Sequence, residues 1–284
     1  MPATHHPVAT HLAQRLCLTG SSTLLGPIDA PRFAEEMIKT YRQILEDGSD
    51  EIVMASFSAR FLPALVEAYK SVPDVITPYA TMLRMLLDSG YFAKLMRGAL
   101  GRDLYRIHGE RIAGLDFAVD VKNVEGMESS IVMLVFLMVY SDHYHRNVEP
   151  LGEATKSKLI AVLAAIQDIY EGELMKIDVP PGTMPNLRAR KLEECPRVSC
   201  IERRKHHSGE FFLRGQLTSD KMLGAVGQMM PWVTCGGYGT GCWQKGKQNG
   251  RLGCGRCETQ TYCSKEHQKA NWPQHKHSCF ETVY

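Results

Sequence analysis

Six of the nine cysteines in this chain fall within its last 50 residues, and three histidines are interspersed among them. Thiolate and imidazole groups at short spacing are typical zinc ligands. The segment from Cys235 to Cys279 is too short to fold on a hydrophobic core of its own, so a bound metal would supply its folding energy. The stretch Met1–Thr10 is polar, unlike a secretory leader, which argues against a disulfide framework. We therefore predict a small zinc-binding module at the C-terminus.

Three pairs of candidate ligands stand at chelating distance along the chain: Cys254/Cys257, Cys263/His267 and His275/Cys279. Two residues between cysteines allow a tight turn that directs both thiolates at one ion, at about 2.3 Å. Ligands four residues apart share one face of a helix. Cys235 and Cys242 are further candidates, whereas we expect His277 to face solvent.

A short helix is predicted between the second and third pairs. Ser264 can cap it, and residues 265–271 would form it. We expect Pro273 to end this helix because proline lacks the N–H that a helix interior needs. His267 would then project toward the ion held by Cys263.

The order Cys254-x2-Cys257-x4-Tyr262-Cys263-x3-His267-x4-Trp272-x2-His275-x3-Cys279 resembles the MYND-type zinc finger. The resemblance implies two structural zinc ions with interleaved ligands. One ion would take Cys235, Cys242, Cys263 and His267. The other would take Cys254, Cys257, His275 and Cys279.

Two departures from the family pattern both fall on the first of these ions. Cys235 and Cys242 enclose six residues, where the family usually has two. The glycines and small residues between them can fold into a wider loop at a greater entropic cost. His267 stands where the family usually has cysteine, and imidazole is an ordinary zinc ligand.

The rest of the chain predicts a mainly α fold, either a helical bundle or an irregular helical-repeat domain. We expect an irregular segment over 1–30, a helical domain over 31–178, a linker or mixed region with a basic stretch over 179–233, and the finger over 234–280. Apolar residues at helical spacing predict helices over 31–46, 50–70, 81–89, 91–100, 102–112, 128–144 and 154–175, with an extended connector at 114–124. Pro63 should kink the helix at 50–70 or split it in two.

The longest apolar run, Ile131–Tyr140, is too short to cross a bilayer as a helix, which takes about 20 residues. We therefore expect an intracellular protein of the nucleus or cytoplasm, without a membrane partner.

No catalytic motif stands out, and we expect no enzyme. His108-Gly-Glu110 matches half of a zinc-deaminase signature, but 143 residues separate it from Cys254-x2-Cys257, which could supply the other half, and Gly253 stands where proline is expected. We expect His108 and Glu110 to lie on a helix surface. The motifs of SET-domain methyltransferases, which some proteins with this finger carry, are absent. An enzyme that uses the finger as a docking arm is an alternative.

The resemblance implies a protein-interaction adaptor of transcriptional or regulatory complexes that binds short peptides of the type Pro-x-Leu-x-Pro. Trp243, Gln268 and Trp272 are candidates to line the peptide groove, and the equal alternative for Trp272 is that it forms the small core of the finger. Nucleic-acid binding is the alternative, because residues 1–187 carry 17 Lys and Arg against 23 Asp and Glu, whereas 188–284 carry 16 against 8. The basic residues of the finger are Lys245, Lys247, Arg251, Arg256, Lys265, Lys269 and Lys276.

Overall fold

The computed structural model describes residues 5–19, 50–75, 77–87, 89–115, 151–162, 235 and 252–284, together with most of 130–141. The predicted helix at 31–46, nearly all of the connector at 114–124, the region 179–233, Cys242 and Trp243 lie outside these residues. The prediction of a mainly helical chain with a small C-terminal zinc finger is confirmed.

The described helices and strands follow one another in a simple order. Six helices come first: α1 (Pro7–Arg15), α2 (Asp50–Ser71), α3 (Pro78–Leu86), α4 (Gly90–Arg97), α5 (Ala99–Arg102) and α6 (Leu104–Ala113). The described residues at 130–141 and 153–162 are also helical. The finger follows, with β1 (Leu252–Gly253), β2 (Thr261–Tyr262) and α7 (Lys265–Ser278).

Helix α2 lies at the centre, packed against α1, α3, α4 and the finger helix α7. Its apolar side chains Phe57, Leu62, Leu65 and Val66 are fully buried. By length and composition the segment Glu51–Ser71 could cross a membrane. Its apolar surface is instead covered by the neighbouring elements, as in the core helix of a globular domain.

Pro63 lies inside α2, which runs without a break from Asp50 to Ser71. The helix does not split there, and the alternative of a kink stays a prediction. A proline at this position has no N–H to donate to the carbonyl four residues earlier, at Ala59. The backbone N–H of Val283 donates to that carbonyl instead, at 3.1 Å. The residues after the finger thus occupy a hydrogen-bonding position that the proline leaves open, which helps α2 to remain continuous.

The N-terminal segment contains a helix where we expected irregular structure. Helix α1 has Pro7 in its first turn, where the missing N–H does no harm, and the side chain of His6 accepts a hydrogen bond from the Val8 N–H at 3.3 Å. Leu12 and Leu16 are buried against the core. Histidine is not among the usual capping residues, and a nine-residue helix depends on tertiary packing for its stability. The local sequence therefore gave little indication of it.

His108 is fully buried, and the expectation that it lies on a helix surface is wrong. Its Nε2 lies 2.8 Å from the carbonyl of Ser130, which can only accept, so Nε2 carries the proton. Nδ1 then accepts a hydrogen bond from the Tyr69 hydroxyl at 2.5 Å. Burial lowers the pKa of His108 to about 4, so the ring is neutral near pH 7. Glu110 is exposed, as expected, and pairs with Arg106 at 3.1 Å.

One apolar core runs from the helices into the finger. It joins Leu83 and Phe92 of the helical part to Cys257, Tyr262 and Phe280. A second cluster, formed by Val75, Ile112, Leu134, Leu151, Leu159 and their neighbours, lies on the side of α6. The finger is therefore packed directly on the helical domain.

Candidate metal centre

A two-stranded hairpin forms the first part of the finger. β1 and β2 pair antiparallel, with Leu252 opposite Tyr262. The connecting loop carries the first ligand pair, and the Cys254 N–H donates to the Gln260 carbonyl at 2.9 Å. Glu258 adopts the left-handed backbone conformation, with φ of 57°, and the chain reverses direction at this residue. This turn directs the loop cysteines toward the helix that follows.

Ser264 caps helix α7, as predicted, and its hydroxyl accepts a hydrogen bond from the His267 N–H at 3.3 Å. The expectation that Pro273 ends this helix is wrong, because α7 continues to Ser278 with the proline inside it. A proline in a helix interior costs about 3 kcal/mol. The contacts of the last turn offset this cost: His275 is buried in the ligand cluster, and the Ser278 hydroxyl donates to Glu51 at 3.1 Å.

The first group of ligands, here called the inner group, consists of Cys254, Cys257, His275 and Cys279. All four side chains are buried, and their ligand atoms lie within 4.8 Å of one another. The Sγ atoms of Cys254 and Cys279 are 3.6 Å apart, and Cys257 Sγ lies 3.5 Å from His275 Nε2. A tetrahedral zinc site with ordinary bond lengths has ligand–ligand separations of about 3.5 to 3.8 Å. The donor set and its geometry therefore fit one zinc ion.

Hydrogen bonds and burial shape the charge of the inner group. Hydrogen bonds from the Cys257 and Cys279 side chains hold the pKa of Cys254 far below its usual range. Burial lowers the pKa of His275, but hydrogen bonds to the Cys254 and Cys257 sulfurs outweigh burial and raise it to about 9. The Thr259 hydroxyl donates to Cys257 Sγ at 3.2 Å. Hydrogen bonds to the Cys254 and Cys257 side chains raise the pKa of Cys279. The group thus combines thiolate and protonated members, and a divalent cation would take the place of their protons. Four protein ligands would leave no open position for water, so such an ion is structural.

The second group, here called the outer group, contains Cys235, Cys263 and His267. Cys235 is buried, whereas the other two are half-buried. Nδ1 of His267 lies 2.9 Å from Cys263 Sγ and 3.6 Å from Cys235 Sγ. The Cys263 N–H also donates to the Cys235 sulfur at 3.4 Å. These three ligands fit a second zinc ion, and the fourth assigned by the resemblance, Cys242, lies outside the described residues.

The structure thus brings seven of the eight expected ligands into two groups, divided as the resemblance implies. Cys235 joins the outer group despite its wide separation from Cys242 in the sequence. His277 is exposed and belongs to neither group.

Tyr91 of α4 joins the inner group to the helical domain. Its hydroxyl donates to the Ser278 carbonyl at 2.8 Å and accepts from the Phe280 N–H at 2.8 Å, on either side of Cys279. Burial raises the pKa of this phenol. Phe280, the residue after Cys279, begins the C-terminal tail (residues 280–284). Its ring is buried and stacks on His5, with ring centroids 5.7 Å apart. Tyr91 is 187 residues from Ser278 in the sequence, and no local pattern marked it.

Gly90 allows the loop of the finger to approach the start of α4 closely. A Cβ at this position would lie 2.6 Å from the Thr259 carbonyl oxygen, which no side chain could accept without a backbone shift. Beside it, Lys94 pairs with Glu258 at 2.9 Å. The two halves of the molecule therefore meet through specific polar contacts as well as apolar packing.

The family model of the MYND finger matches residues 241–279, which include every expected ligand except Cys235. No curated protein and no solved structure gives a significant match to this chain. The matched segment covers the hairpin, helix α7 and every member of the two ligand groups except Cys235. Residues 241–279 are therefore a MYND finger, a zinc-binding protein-interaction module, whose ligand groups fit two structural zinc ions.

Proposed function

We propose that this protein is an adaptor whose MYND finger binds short proline-containing peptides of partner proteins on the exposed side of α7. The observation that carries the proposal is the position of Trp272. Its side chain is 43% exposed, although tryptophan is mostly buried in folded proteins. A large exposed aromatic side chain on a rigid element is typical of a binding surface.

The side chain of Trp272 packs against His275 of the inner ligand group. The Trp272 and His275 rings meet edge to face, with centroids 6.0 Å apart. Because His275 belongs to the inner group, a zinc ion held there would fix the surface against which the indole packs. One face of the indole is then available to a ligand at little entropic cost.

The chemistry of this surface suits an extended proline-containing segment. Proline-rich peptides keep their extended conformation in solution and dock against aromatic side chains. Gln268 lies one helical turn before Trp272 and is partly exposed. Its amide can hydrogen-bond the backbone of a peptide lying along the tryptophan. The packing of the finger on the helical domain would present this surface in a fixed orientation.

The test is titration calorimetry of the zinc-loaded full chain with a synthetic Pro-x-Leu-x-Pro peptide. A second peptide, with both prolines replaced by alanine, serves as the ligand control. We expect Trp272→Ala to weaken binding at least about tenfold, because an aromatic anchor contributes 2 kcal/mol or more. Gln274→Ala is the matched protein control, since this exposed residue lies on the opposite side of α7. Equal affinity of wild type and Trp272→Ala, or equal affinity for the two peptides, would overturn the proposal.

A further inference from the structure

The exposed face of α7 that carries Trp272 is also basic. Lys265, Lys269 and Lys276 are exposed, and they lie seven and three residues before the tryptophan and four residues after it. At 100° per residue these four side chains fall within a sector of about 60° around the helix axis. The tryptophan therefore lies within a stripe of three lysines, here called the lysine stripe.

The acidic residues of the described finger have other partners or positions. Glu258 pairs with Lys94 of the helical domain at 2.9 Å. Glu266 lies in the first turn of α7, where hydrogen bonds from its own backbone and from Ser264 hold its pKa below the usual range. Glu266 also interacts electrostatically with Lys269. Glu281 lies beyond the C-terminal end of α7. Within the described part of the chain, no ion pair involves the lysine stripe.

We propose that the lysine stripe makes the finger select proline-containing peptides whose flanking residues are aspartate or glutamate. This inference rests on the proposed function and adds the charge of the partner to it. Trp272 would receive the proline-containing core, and the lysines on either side would receive carboxylates. Complementary charge of this kind raises the association rate and excludes basic competitors.

The length of the stripe indicates where the acidic residues must lie. Lys265 and Lys276 are eleven residues apart, which corresponds to about 16 Å along the helix axis. A peptide in the extended polyproline conformation covers that distance with about five residues. Pro-x-Leu-x-Pro is itself five residues long, so the carboxylates belong at positions directly next to the core on both sides.

The same surface favours a protein over a nucleic acid. Proteins that bind single strands stack successive bases on several aromatic side chains. The exposed face of α7 carries a single tryptophan. Residues 235–284 also carry seven Lys and Arg against three Asp and Glu, a modest charge for binding a phosphate backbone.

The experiment uses three peptides with one Pro-x-Leu-x-Pro core, flanked on both sides by glutamate, glutamine or lysine. Binding to the zinc-loaded full chain is measured by calorimetry at several salt concentrations. At low salt we expect the glutamate peptide to bind about 3- to 10-fold more tightly than the glutamine peptide, and the lysine peptide to bind least. The preference should shrink as salt screens these exposed charges.

Two charge reversals test where the preference arises. Lys269→Glu should abolish or reverse the preference for glutamate over glutamine flanks. Lys158→Glu, an equal charge change at an exposed position of the helical domain, should leave the preference intact. Circular dichroism and zinc content of both variants show that they remain folded.

The outcomes separate the inference from the function on which it rests. Equal affinity for the glutamate and glutamine peptides would overturn the inference and leave the proposed function standing. Failure of all three peptides to bind would overturn both. Binding of a single-stranded oligonucleotide with a steep salt dependence, without any peptide binding, would replace the acidic peptide by a nucleic acid.

Discussion

The two ligand groups of the finger differ in how they relate to the rest of the molecule. The inner group is entirely buried and belongs to the same apolar core as the helical domain. The outer group contributes Cys235 to the same core, but its other two members are half-buried and lie at the hairpin and the start of α7. Chemically similar sites can therefore have different structural roles. The inner group lies wholly within the core where the two halves meet, whereas the outer group reaches that core mainly through Cys235.

The contacts around Cys279 explain the role of the inner group. The residues on either side of it, Ser278 and Phe280, both hydrogen-bond to the Tyr91 hydroxyl. A zinc ion bound to Cys279 would thus fix the chain where it meets α4. Without the ion, protons shared among the buried sulfurs and His275 would balance the charge, but they would not hold the four ligands in one tetrahedral arrangement.

The largest expected effect comes from removing one ligand of each group in turn. Cys257→Ser should lose the inner zinc, whose binding contributes on the order of 10 kcal/mol to folding in small zinc modules. Because the inner group shares the core of the helical domain, we expect a lower melting temperature for the whole chain. Cys263→Ser should lose the other zinc and lower the melting temperature of the helical domain by less, because Cys263 is only half-buried. Zinc stoichiometry by mass spectrometry and calorimetric melting measure both effects.

The comparison between the two groups fails if the two serine variants melt alike. In that case the outer group would be as closely coupled to the helical core as the inner one. A finger that unfolds in Cys257→Ser while the helices melt at the wild-type temperature would show instead that the two halves fold independently.

A second prediction concerns His108, whose hydrogen-bond partners Tyr69 and Ser130 both belong to the helical half. His108 has a pKa of about 4 in the folded protein, against about 6.5 when unfolded. Between these values the unfolded state binds more protons, so the free energy of unfolding falls as pH drops below about 6.5. The loss reaches about 1.4 kcal/mol at pH 5.5 and about 3 kcal/mol near pH 4. Urea unfolding from pH 7.5 to pH 5.5 measures this slope.

His108→Gln is the matched variant, because glutamine can still donate to the Ser130 carbonyl but does not titrate. Its unfolding free energy should depend less on pH than that of the wild type over the same range. Zinc loss affects both proteins alike, so the difference between their slopes reports on the histidine. Parallel slopes would contradict the assignment of a neutral, buried His108.

Sequence reasoning succeeded where the chemistry is local and failed where it is long-range. The spacing of Cys254 and Cys257 and the cap at Ser264 involve residues a few positions apart, so the sequence alone could indicate them. The partnership of Tyr91 with Phe280 spans 189 residues and depends on the packing of the whole fold. His108 shows the same limit, because its helix offers no local indication of the Tyr69 hydroxyl that covers it.

The predicted helix end at Pro273 and the predicted split at Pro63 were wrong for a related reason. Local propensity predicts a break at Pro273 and a kink or break at Pro63, since each removes a backbone hydrogen bond. Helix α7 continues because its last turn carries His275 into the inner group. Helix α2 continues with the Ala59 carbonyl satisfied by Val283. Tertiary contacts thus overrode the local preference at both positions.

The smallest expected effect tests this last contact between the halves. Pro63→Ala restores an N–H that can donate to the Ala59 carbonyl within α2, so it competes with the Val283 N–H. The helix should gain stability, whereas the tail should lose a hydrogen bond of about 1 kcal/mol. We expect amide hydrogen exchange at Val283 to become about fivefold faster. The Phe280 amide should exchange at the wild-type rate, because its partner is Tyr91. Unchanged exchange at Val283 would show that the proline does not determine where the tail docks, and that the apolar packing of Phe280 alone positions it.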